Sequence, residues 1–466
     1  MSATGTDLLA ETRRALRHRL ATGQVQGRAP SAVAAVVRDG CPVWVEGWGS
    51  VDGRPPDGDV QYRIGSITKT FVALLVLRLR DEGRLALTDP LAEHLPGTSA
   101  GQATIGALLA HTAGLRADPP GPWWERTPGD LRPELADVLG AEPQPHPAGG
   151  RHHYSNPGYA LLGALVERLR GEPWGEVLRR EVLDPLGMTR TALVPAAPHA
   201  TGWAVHPWAD VLLPEPDVDT GRMAPAGQLW STAADLARLA VLLLDGDERV
   251  LHPDTVAEMR TPSSPPEAAT LDSGYGLGTQ ILRRDGRLLV GHTGSLPGFL
   301  ATVWVSEEDG LGAVVLGNVT AGLPVSTMAA DLVATVAERE PRIPAPWRPL
   351  PVVDPDLLDL AGPWYWGPAP YLLRPVADGF LDLTGLRAVG RGTRLRPAGD
   401  GSWIGLNGYF AGERLRVVRD AAGAVSHLDL GTFVFTRRPY DPAAAVPGGV
   451  DPDGWRVPGP GAAGAQ

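Results

Sequence analysis

The chain has 466 residues, of which 43% are hydrophobic and 20% charged, so it is long enough for two domains with a sizeable core and is not a highly charged disordered chain. Its single cysteine, Cys41, excludes an internal disulfide framework and a cysteine-cluster metal site. The formal net charge of −11 argues against a nucleic-acid partner, which requires a basic surface.

No stretch of the chain approaches the run of about 18 apolar residues that a membrane span needs, so we expect no membrane partner. The first eleven residues lack the basic start and apolar run of a signal peptide, and we therefore expect a cytoplasmic protein. No His-Glu-x-x-His or comparable spacing indicates a metal site, and we expect no cofactor.

The first 340 residues place strand patterns at both ends of a helical middle. An amphipathic helix over 7–21 precedes a hairpin whose strands run from Ser31 to Val37 and from Val43 to Trp48. Further helices are predicted over residues 66–82, 104–110, 157–170, 174–183 and 232–244. Strands are predicted over residues 275–283, 287–293, 300–306 and 311–317, followed by a helix over 324–338. This order predicts an α/β domain, an antiparallel sheet flanked by helices with an all-helical insertion and a cleft where the two parts meet.

The composition then changes. Residues 341–353 read as a proline-rich linker, and residues 354–440 show short alternating segments that predict a small C-terminal β domain. The predicted strands of that domain are Tyr371 to Val376, Phe380 to Leu383, Arg414 to Arg419, Val425 to Leu430 and Thr432 to Thr436. Residues 441–466 are rich in Pro, Gly and Ala and predict a disordered tail.

Lys69 is the only lysine among the 42 basic residues of the chain. A buried lysine can lose its proton and act as a base, whereas arginine keeps its proton at ordinary pH. Codon bias towards arginine explains most of the skew, but not why one lysine remains. We therefore ask whether this position needs a neutral amine.

Ser66 and Lys69 lie three residues apart at the start of the helix over 66–82, so they share one helix face. A serine hydroxyl needs a nearby base to become a good nucleophile, and a lysine in an apolar site can be that base. The backbone N–H of Ser66 would lie at the positive end of the helix, where an oxyanion can be held. The simpler interpretation is a helix cap followed by a solvated lysine.

Tyr154 and Asn156 are predicted to lie on a loop before a helix that starts at Pro157. A tyrosine hydroxyl can relay a proton between a lysine and a leaving group, and an asparagine amide can bind a substrate carbonyl. Taken alone, this segment is more simply a turn that precedes a helix.

His292, Gly294 and Ser295 are predicted to follow the strand from Leu288 to Val290. A glycine here lets a substrate lie close to the strand edge, and the backbone N–H of Ser295 could be a second oxyanion donor. The simpler interpretation is a strand that ends in a turn.

The three motifs in this order, Ser-x-x-Lys, Tyr-x-Asn and His-Thr-Gly, resemble those of the serine β-lactamase and penicillin-binding family. The chain is most similar to the class C branch, which includes β-lactamases, D-stereospecific peptidases and esterases. The resemblance covers about residues 28–340 and extends to Leu108–Leu115, Pro185–Met188 and Gly274–Gly278.

The resemblance implies a role for each residue of the motifs. Ser66 would be the acylated nucleophile, Lys69 its base, and Tyr154 a second base and proton relay. Asn156 would hold Lys69 and contact the substrate, and the N–H groups of Ser66 and Ser295 would form the oxyanion hole.

His292 departs from the family pattern, because β-lactamases usually have lysine at this position. Histidine is mostly neutral at pH 7 and gains a full charge only at lower pH. We therefore expect weak anchoring of substrate carboxylates at pH 7, better binding of them at mildly acidic pH, and a preference for esters or uncharged acyl compounds.

The sequence thus predicts a serine hydrolase that cleaves a small-molecule ester or amide through an acyl-enzyme. The alternatives are a D-amino-acid peptidase, a β-lactamase, or a non-catalytic binding protein of the same fold. His111 resembles the third motif but follows a helical run, so we interpret it as structural. His152 and His153 are more simply residues of a solvated loop, although they could touch substrate.

Overall fold

The computed structural model describes residues 7–265, 271–344, 346–352, 354–386 and 391–440, together with residues 443, 445 and 449. The chain forms two compact units, Met1–Ile343 and Pro344–Gln466. Apart from those three positions, the predicted disordered tail over 441–466 lies outside the described residues. None of the helices in the described ranges is long and apolar enough to cross a membrane.

The first unit contains a seven-stranded antiparallel sheet with the order β2-β1-β11-β10-β9-β8-β7. Its strands are β1 (Ser31–Arg38), β2 (Cys41–Gly49), β7 (Ser273–Tyr275), β8 (Gln280–Arg284), β9 (Arg287–Leu296), β10 (Phe299–Ser306) and β11 (Leu311–Gly317). Two short two-stranded sheets accompany it, formed by β3 (Tyr62–Arg63) with β6 (Trp230–Ser231) and by β4 (Trp203–Val205) with β5 (Leu212–Pro214).

Helices cover the sheet and fill the segment between its two halves. They are α1 (Ala10–Gln26), α2 (Ile67–Asp81), α3 (Leu91–His94), α4 (Ile105–Leu109), α5 (Leu135–Leu139), α6 (Asn156–Arg170), α7 (Trp174–Leu178), α8 (Asp184–Leu186), α9 (Ala224–Gly227), α10 (Ala233–Asp245), α11 (Pro253–Met259) and α12 (Val325–Arg339). Shorter turns are a π turn at Arg179–Leu183 and 3-10 turns at Trp124–Arg126, Gly129–Leu131 and Gly221–Met223.

The sheet separates two hydrophobic cores. Along β1, Val33 and Val37 pack into the core that contains α2, α6 and α10, whereas Ala34 and Val36 pack into the core beneath α1 and α12. Successive side chains of a strand point to opposite faces, so a strand covered on both faces is apolar at every position. The two ends of the unit meet because β1 pairs with β11, which confirms the predicted antiparallel sheet flanked by helices.

Several predicted boundaries are wrong, and α1 runs over Ala10–Gln26 instead of 7–21. The predicted strand over 275–283 is a hairpin of β7 and β8, because Gly278 turns the chain with a φ of +79°. β9 extends to Leu296, and α6 begins one residue earlier than predicted, at Asn156. The last two shifts place Asn156, Gly294 and Ser295 inside regular elements, where the backbone fixes their positions.

The second unit is a small β domain, as predicted. Its eight strands pair antiparallel in chain order: β12 (Gly362–Trp366), β13 (Ala369–Pro375), β14 (Leu381–Gly385), β15 (Thr393–Pro397), β16 (Trp403–Gly405), β17 (Arg414–Arg419), β18 (Val425–Leu430) and β19 (Phe433–Phe435). A short helix, α13 (Pro355–Leu360), precedes them. Tyr365 and Thr436 exchange backbone hydrogen bonds of 2.8 and 2.9 Å, which joins the first strand to the last. Alternating apolar side chains, such as Leu373, Leu383 and Leu428, fill the interior of this barrel.

Candidate active site

Ser66 and Lys69 lie at the start of α2, whose side chains are buried around most of its circumference. Gly65 enters the helix with a φ of +50°, which a residue with a Cβ rarely adopts, and Ser66 occupies the N-cap position. Lys69 follows one turn later and is fully buried. Its Nζ lies 3.0 Å from Ser66 Oγ, so the predicted serine and lysine are within hydrogen-bond reach.

Lys69 Nζ has two further partners, Asn156 Oδ1 and the carbonyl oxygen of Ala226, each at 2.7 Å. These two oxygens can only accept hydrogen bonds, so each takes an N–H from the amine. The third tetrahedral position of Nζ points to the Ser66 hydroxyl, which can donate a hydrogen bond as well as accept one. A neutral Lys69 would therefore present its lone pair to the Ser66 proton.

Burial lowers the pKa of Lys69 to about 7, because a charged amine loses its hydration in this site. The carboxylates of Asp118 and Glu125 act in the opposite direction and favour the ammonium form. The balance leaves an amine that is partly unprotonated near neutral pH, as a general base requires.

Tyr154 packs beside this pair and lines the same cavity as Ser66, and its pKa responds to hydrogen bonding with the Ser66 side chain. Lys69 Nζ lies 4.9 Å from the centre of the Tyr154 ring. Burial raises the pKa of Tyr154 well above that of an exposed tyrosine, and the hydrogen bond to Ser66 opposes the rise only in part. The hydroxyl is therefore protonated at neutral pH, a state in which it can donate to a leaving group.

Asn156 is held on its other side by Asp118, a residue that the sequence did not indicate. Asn156 Nδ2 donates to Asp118 Oδ1 at 2.7 Å, and the Trp124 indole N–H donates to the same oxygen at 2.9 Å. Ser155 caps α6 by accepting from the N–H of Gly158 at 3.1 Å. The amide of Asn156 is thus oriented with its oxygen towards Lys69.

The third motif lies inside β9, where the strand crosses the start of α2. A Cβ at Gly294 would lie 1.9 Å from the carbonyl oxygen of Ile64 and 3.2 Å from the nitrogen of Ser66. A Cβ at Gly65 would lie 2.6 Å from the nitrogen of Ser295. Glycine at both positions lets the backbone of β9 approach the backbone before α2 this closely. The N–H groups of Ser66 and Ser295 therefore lie near each other.

His292 is buried, with 1% of its surface exposed, and is not among the residues that line the cavity described below. Its Nδ1 lies 2.6 Å from the Thr293 carbonyl oxygen, which can only accept, so Nδ1 carries the proton. Its Nε2 then accepts from the Tyr275 hydroxyl at 2.9 Å. Burial and the nearby Lys69 lower the pKa of His292 to about 3. The expectation that His292 becomes charged at mildly acidic pH is therefore wrong.

His111 has the structural role expected from the sequence. It adopts a φ of +56°, its Nδ1 accepts from the backbone N–H of Ser155 at 3.0 Å, and its ring lies 4.2 Å from that of Tyr154. Burial, the largest effect, and neighbouring positive charges keep the pKa of His111 well below that of an exposed histidine. These contacts of His111 with Ser155 and Tyr154 help to hold the segment that carries Tyr154.

A cavity of about 560 Å³ opens beside Ser66 and Tyr154. The residues that line it are Ser66, Glu125, His152, Tyr154, Ser273, Gly274, Tyr275, Gln280, Ile281, Leu282, Thr293, Ser295, Trp304 and Ser326. The lining contains polar and apolar side chains beside the candidate nucleophile, and the volume of the cavity suits a small molecule. His152, which the sequence assigned to a solvated loop, is half-buried in this wall.

Potential metal ligands lie elsewhere. Asp89, Glu93 and His94 hold their ligand atoms within 4.8 Å of one another. His94 Nε2 is 2.8 Å from Asp89 Oδ2, a contact that explains this arrangement without an ion.

Comparisons with known proteins agree with this architecture. The family model "Beta-lactamase" matches residues 12–338, and a domain of unknown function, DUF7586, matches residues 353–437. Penicillin-binding protein 4 of Amycolatopsis lactamdurans is 30% identical over 285 residues, which cover 56% of this chain and 72% of that protein. Three further relatives are matched over 60%, 62% and 46% of their own length, less than two thirds of each.

Two solved structures are similar over nearly their whole length. A D-stereospecific amidohydrolase from Streptomyces sp. has a TM-score of 0.55 and 25% identity, with 71% of this chain and 99% of that chain covered. SurE, solved with D-Leu, has a TM-score of 0.57 and 26% identity, with 92% of this chain and 100% of that chain covered. Because the family model spans most of the chain, the chain belongs to the Beta-lactamase family, a β-lactamase-like and penicillin-binding-like group that includes serine hydrolases.

Proposed function

We propose that this protein is a serine hydrolase that cleaves an ester or amide without a carboxylate through an acyl-enzyme on Ser66. The observation that carries the proposal is the contact between Lys69 Nζ and Ser66 Oγ at 3.0 Å, made by a buried amine with a pKa of about 7. A hydroxyl next to an unprotonated amine can give up its proton as it attacks a carbonyl carbon.

In the acylation step, Ser66 Oγ attacks the substrate carbonyl while its proton passes to Lys69 Nζ. The N–H groups of Ser66 and Ser295 would stabilise the negative charge that develops on the carbonyl oxygen. The Tyr154 hydroxyl then protonates the leaving group and regains a proton from Lys69. The C–O or C–N bond of the substrate breaks, and an ester to Ser66 remains.

In the deacylation step, a water molecule takes the place of the leaving group. It transfers a proton to the Tyr154 and Lys69 pair as its oxygen attacks the acyl carbon. Collapse of the tetrahedral intermediate releases the carboxylic acid and returns the proton to Ser66 Oγ. The same groups act in reverse order, as microscopic reversibility requires.

The proposed selection against substrates that carry a carboxylate follows from the cavity wall. The described residues that line it include no Arg or Lys, and His292 is neutral, buried and outside the lining. A substrate carboxylate, such as that of a β-lactam, would lose its hydration without gaining a cation. An ester or amide that lacks a carboxylate avoids this cost.

An amide or ester of a D-amino acid is the second candidate substrate. Its support is similarity to two solved proteins, the D-stereospecific amidohydrolase and SurE with D-Leu. β-Lactamase activity and a non-catalytic binding role are the remaining alternatives, and they differ in measurable outcome.

A labelling and hydrolysis experiment tests the proposal. Wild type, Ser66→Ala and Ser273→Ala are treated with a fluorophosphonate probe and assayed against nitrophenyl esters, D- and L-amino-acid anilides, and nitrocefin. Ser273 is the control because it lines the same cavity. We expect labelling and ester or anilide hydrolysis in wild type and Ser273→Ala, and neither in Ser66→Ala. Labelling that persists in Ser66→Ala would place the nucleophile elsewhere, and a folded wild type without labelling or turnover would support the binding role.

A further inference from the structure

Glu125 lies in the wall of the same cavity as Ser66 and transfers no proton in the proposed acyl transfer, although its charge raises the pKa of Lys69. It belongs to the 3-10 turn Trp124–Arg126 and is half-buried. The preceding residue, Trp124, is buried and donates to Asp118, which in turn accepts from Asn156. The position of Glu125 is thus connected through the side chains of Trp124 and Asp118 to Asn156, which holds Lys69.

Glu125 carries the one carboxylate among the described residues that line the cavity, and this lining includes no Arg or Lys. Among those residues His152 is the one imidazole. The carboxylate of Glu125, when ionised, is therefore the charged group that this lining presents to a substrate. This asymmetry is the reverse of what a carboxylate-bearing substrate needs and matches what a cationic substrate needs.

No cation of the described chain forms an ion pair with Glu125. The Trp123 indole N–H donates to Glu125 Oε2 at 2.8 Å. Arg63 directs its guanidinium to Asp217 at 3.2 Å, and Lys69 is occupied by its own three partners. Burial is the largest influence on the pKa of Glu125 and raises it, which is the expected cost of a carboxylate without a close cation.

We propose that Glu125 is a specificity-determining residue that binds the ammonium group of an acyl substrate with a free amine, so that the preferred substrates are aminoacyl esters or amides. The inference rests on the proposed function of the Ser66 site and names the substrate class for it. An ammonium near Glu125 would form a charge-assisted hydrogen bond inside a partly dehydrated site. Acylation of that amine removes the charge and should remove the advantage.

The test compares wild type, Glu125→Gln and Glu142→Gln on paired substrates. Each pair is one amino-acid nitrophenyl ester or anilide with a free amine and its N-acetyl derivative, in D and L forms. Glu142→Gln is the matched control because its side chain is 87% exposed on the surface. We expect wild type and the control to prefer the free amine, and Glu125→Gln to lose this preference roughly 10- to 100-fold through a higher KM for the amine alone.

Two kinetic results would overturn the proposal. One is an unchanged preference in Glu125→Gln. The other is a fall in kcat for both members of a pair with accumulation of acyl-enzyme in the mass spectrum, which would make Glu125 a base for deacylation instead.

A binding measurement separates this proposal from the proposed function. Calorimetry with Ser66→Ala, which cannot form the acyl-enzyme, compares an amino-acid amide with its N-acetyl derivative, before and after the added Glu125→Gln change. A free-amine preference that requires Glu125 supports the inference even if wild type hydrolyses nothing. Equal binding of the two compounds overturns it even if Ser66 is shown to be the nucleophile.

Discussion

The carbonyl oxygen of Ala226 accepts a hydrogen bond from Lys69 Nζ at 2.7 Å, inside a site from which Lys69 exposes no surface. This oxygen and Asn156 Oδ1 each accept a hydrogen bond from the amine. The third tetrahedral position of Nζ then faces Ser66. The arrangement suits a neutral amine that accepts a proton, and the proposed proton transfer from Ser66 to Lys69 depends on it.

Lys69→Arg should be nearly as damaging as Lys69→Met, with a loss of about 10³-fold or more in kcat/KM. Arginine keeps the charge but does not release its proton in proteins, so it cannot act as the base. The measurement is the rate of fluorophosphonate labelling and of ester hydrolysis for both variants, with circular dichroism to confirm folding. If Lys69→Arg keeps activity within tenfold of wild type, the lysine is a structural cation.

Asp118→Asn should shift the pH dependence of catalysis to lower pH. The carboxylate of Asp118 raises the pKa of Lys69, so its removal should lower the pKa of that amine further. The lysine would then lose its proton at a lower pH, and kcat/KM would reach half its maximum earlier. The pH profile of ester hydrolysis measures this, with Glu142→Gln as the control. A midpoint that stays in place or rises would show that the Asp118 carboxylate does not raise the pKa of Lys69.

Gly294→Ala should lower the labelling rate and kcat/KM by about 10²-fold or more, because the new Cβ would overlap the carbonyl oxygen of Ile64 and push β9 away from Ser66. Gly274→Ala is the matched control, since Gly274 lines the cavity and its Cβ would meet no atom closer than 4.0 Å. Comparable activity in the two variants would show that the close approach of Ser66 and Ser295 is not needed for reaction.

The free energy of unfolding should fall between pH 7 and pH 5 by about 1–2 kcal/mol for His292. The pKa of His292 in the folded chain is about 3, below its value in the unfolded chain, so acid protonates the unfolded chain first. This contribution is fully present above about pH 6.5 and is lost as the pH falls towards 3. Urea unfolding of wild type and His292→Gln at both pH values measures it, because glutamine can keep both hydrogen bonds without titrating. Equal pH dependence in the two proteins would contradict a neutral, buried His292.

Local patterns in the sequence predicted the parts of the fold that depend on near neighbours. The β1–β2 hairpin, α2 and the strands β9 to β11 show clear apolar periodicity, and the motifs are short. The brief strands β12, β15 and β16 were missed because three to five residues carry little alternation. The strand predicted over 275–283 failed because the turn that divides it depends on the backbone freedom of Gly278.

The site residues that could not be predicted from the sequence reach the site through tertiary contacts. Asp118 and Glu125 lie on an irregular segment, and only the folded chain brings them to Lys69 and the cavity. Tyr275 was noted within a shared motif, but its hydrogen bond to His292 could not be read from spacing. The error about His292 has the same origin, since its pKa depends on burial by distant residues.

The protonation state of Lys69 decides whether this amine can be the base for Ser66, and the composition makes it measurable. Because Lys69 is the only lysine, a tag-free protein grown with lysine labelled with ¹³C at Cε gives a single side-chain signal in an NMR spectrum. We expect this signal to titrate with a midpoint near pH 7, as burial of the amine requires. A midpoint above pH 9 would mean that Lys69 is a permanent cation, and the proposed role as the base for Ser66 would be wrong.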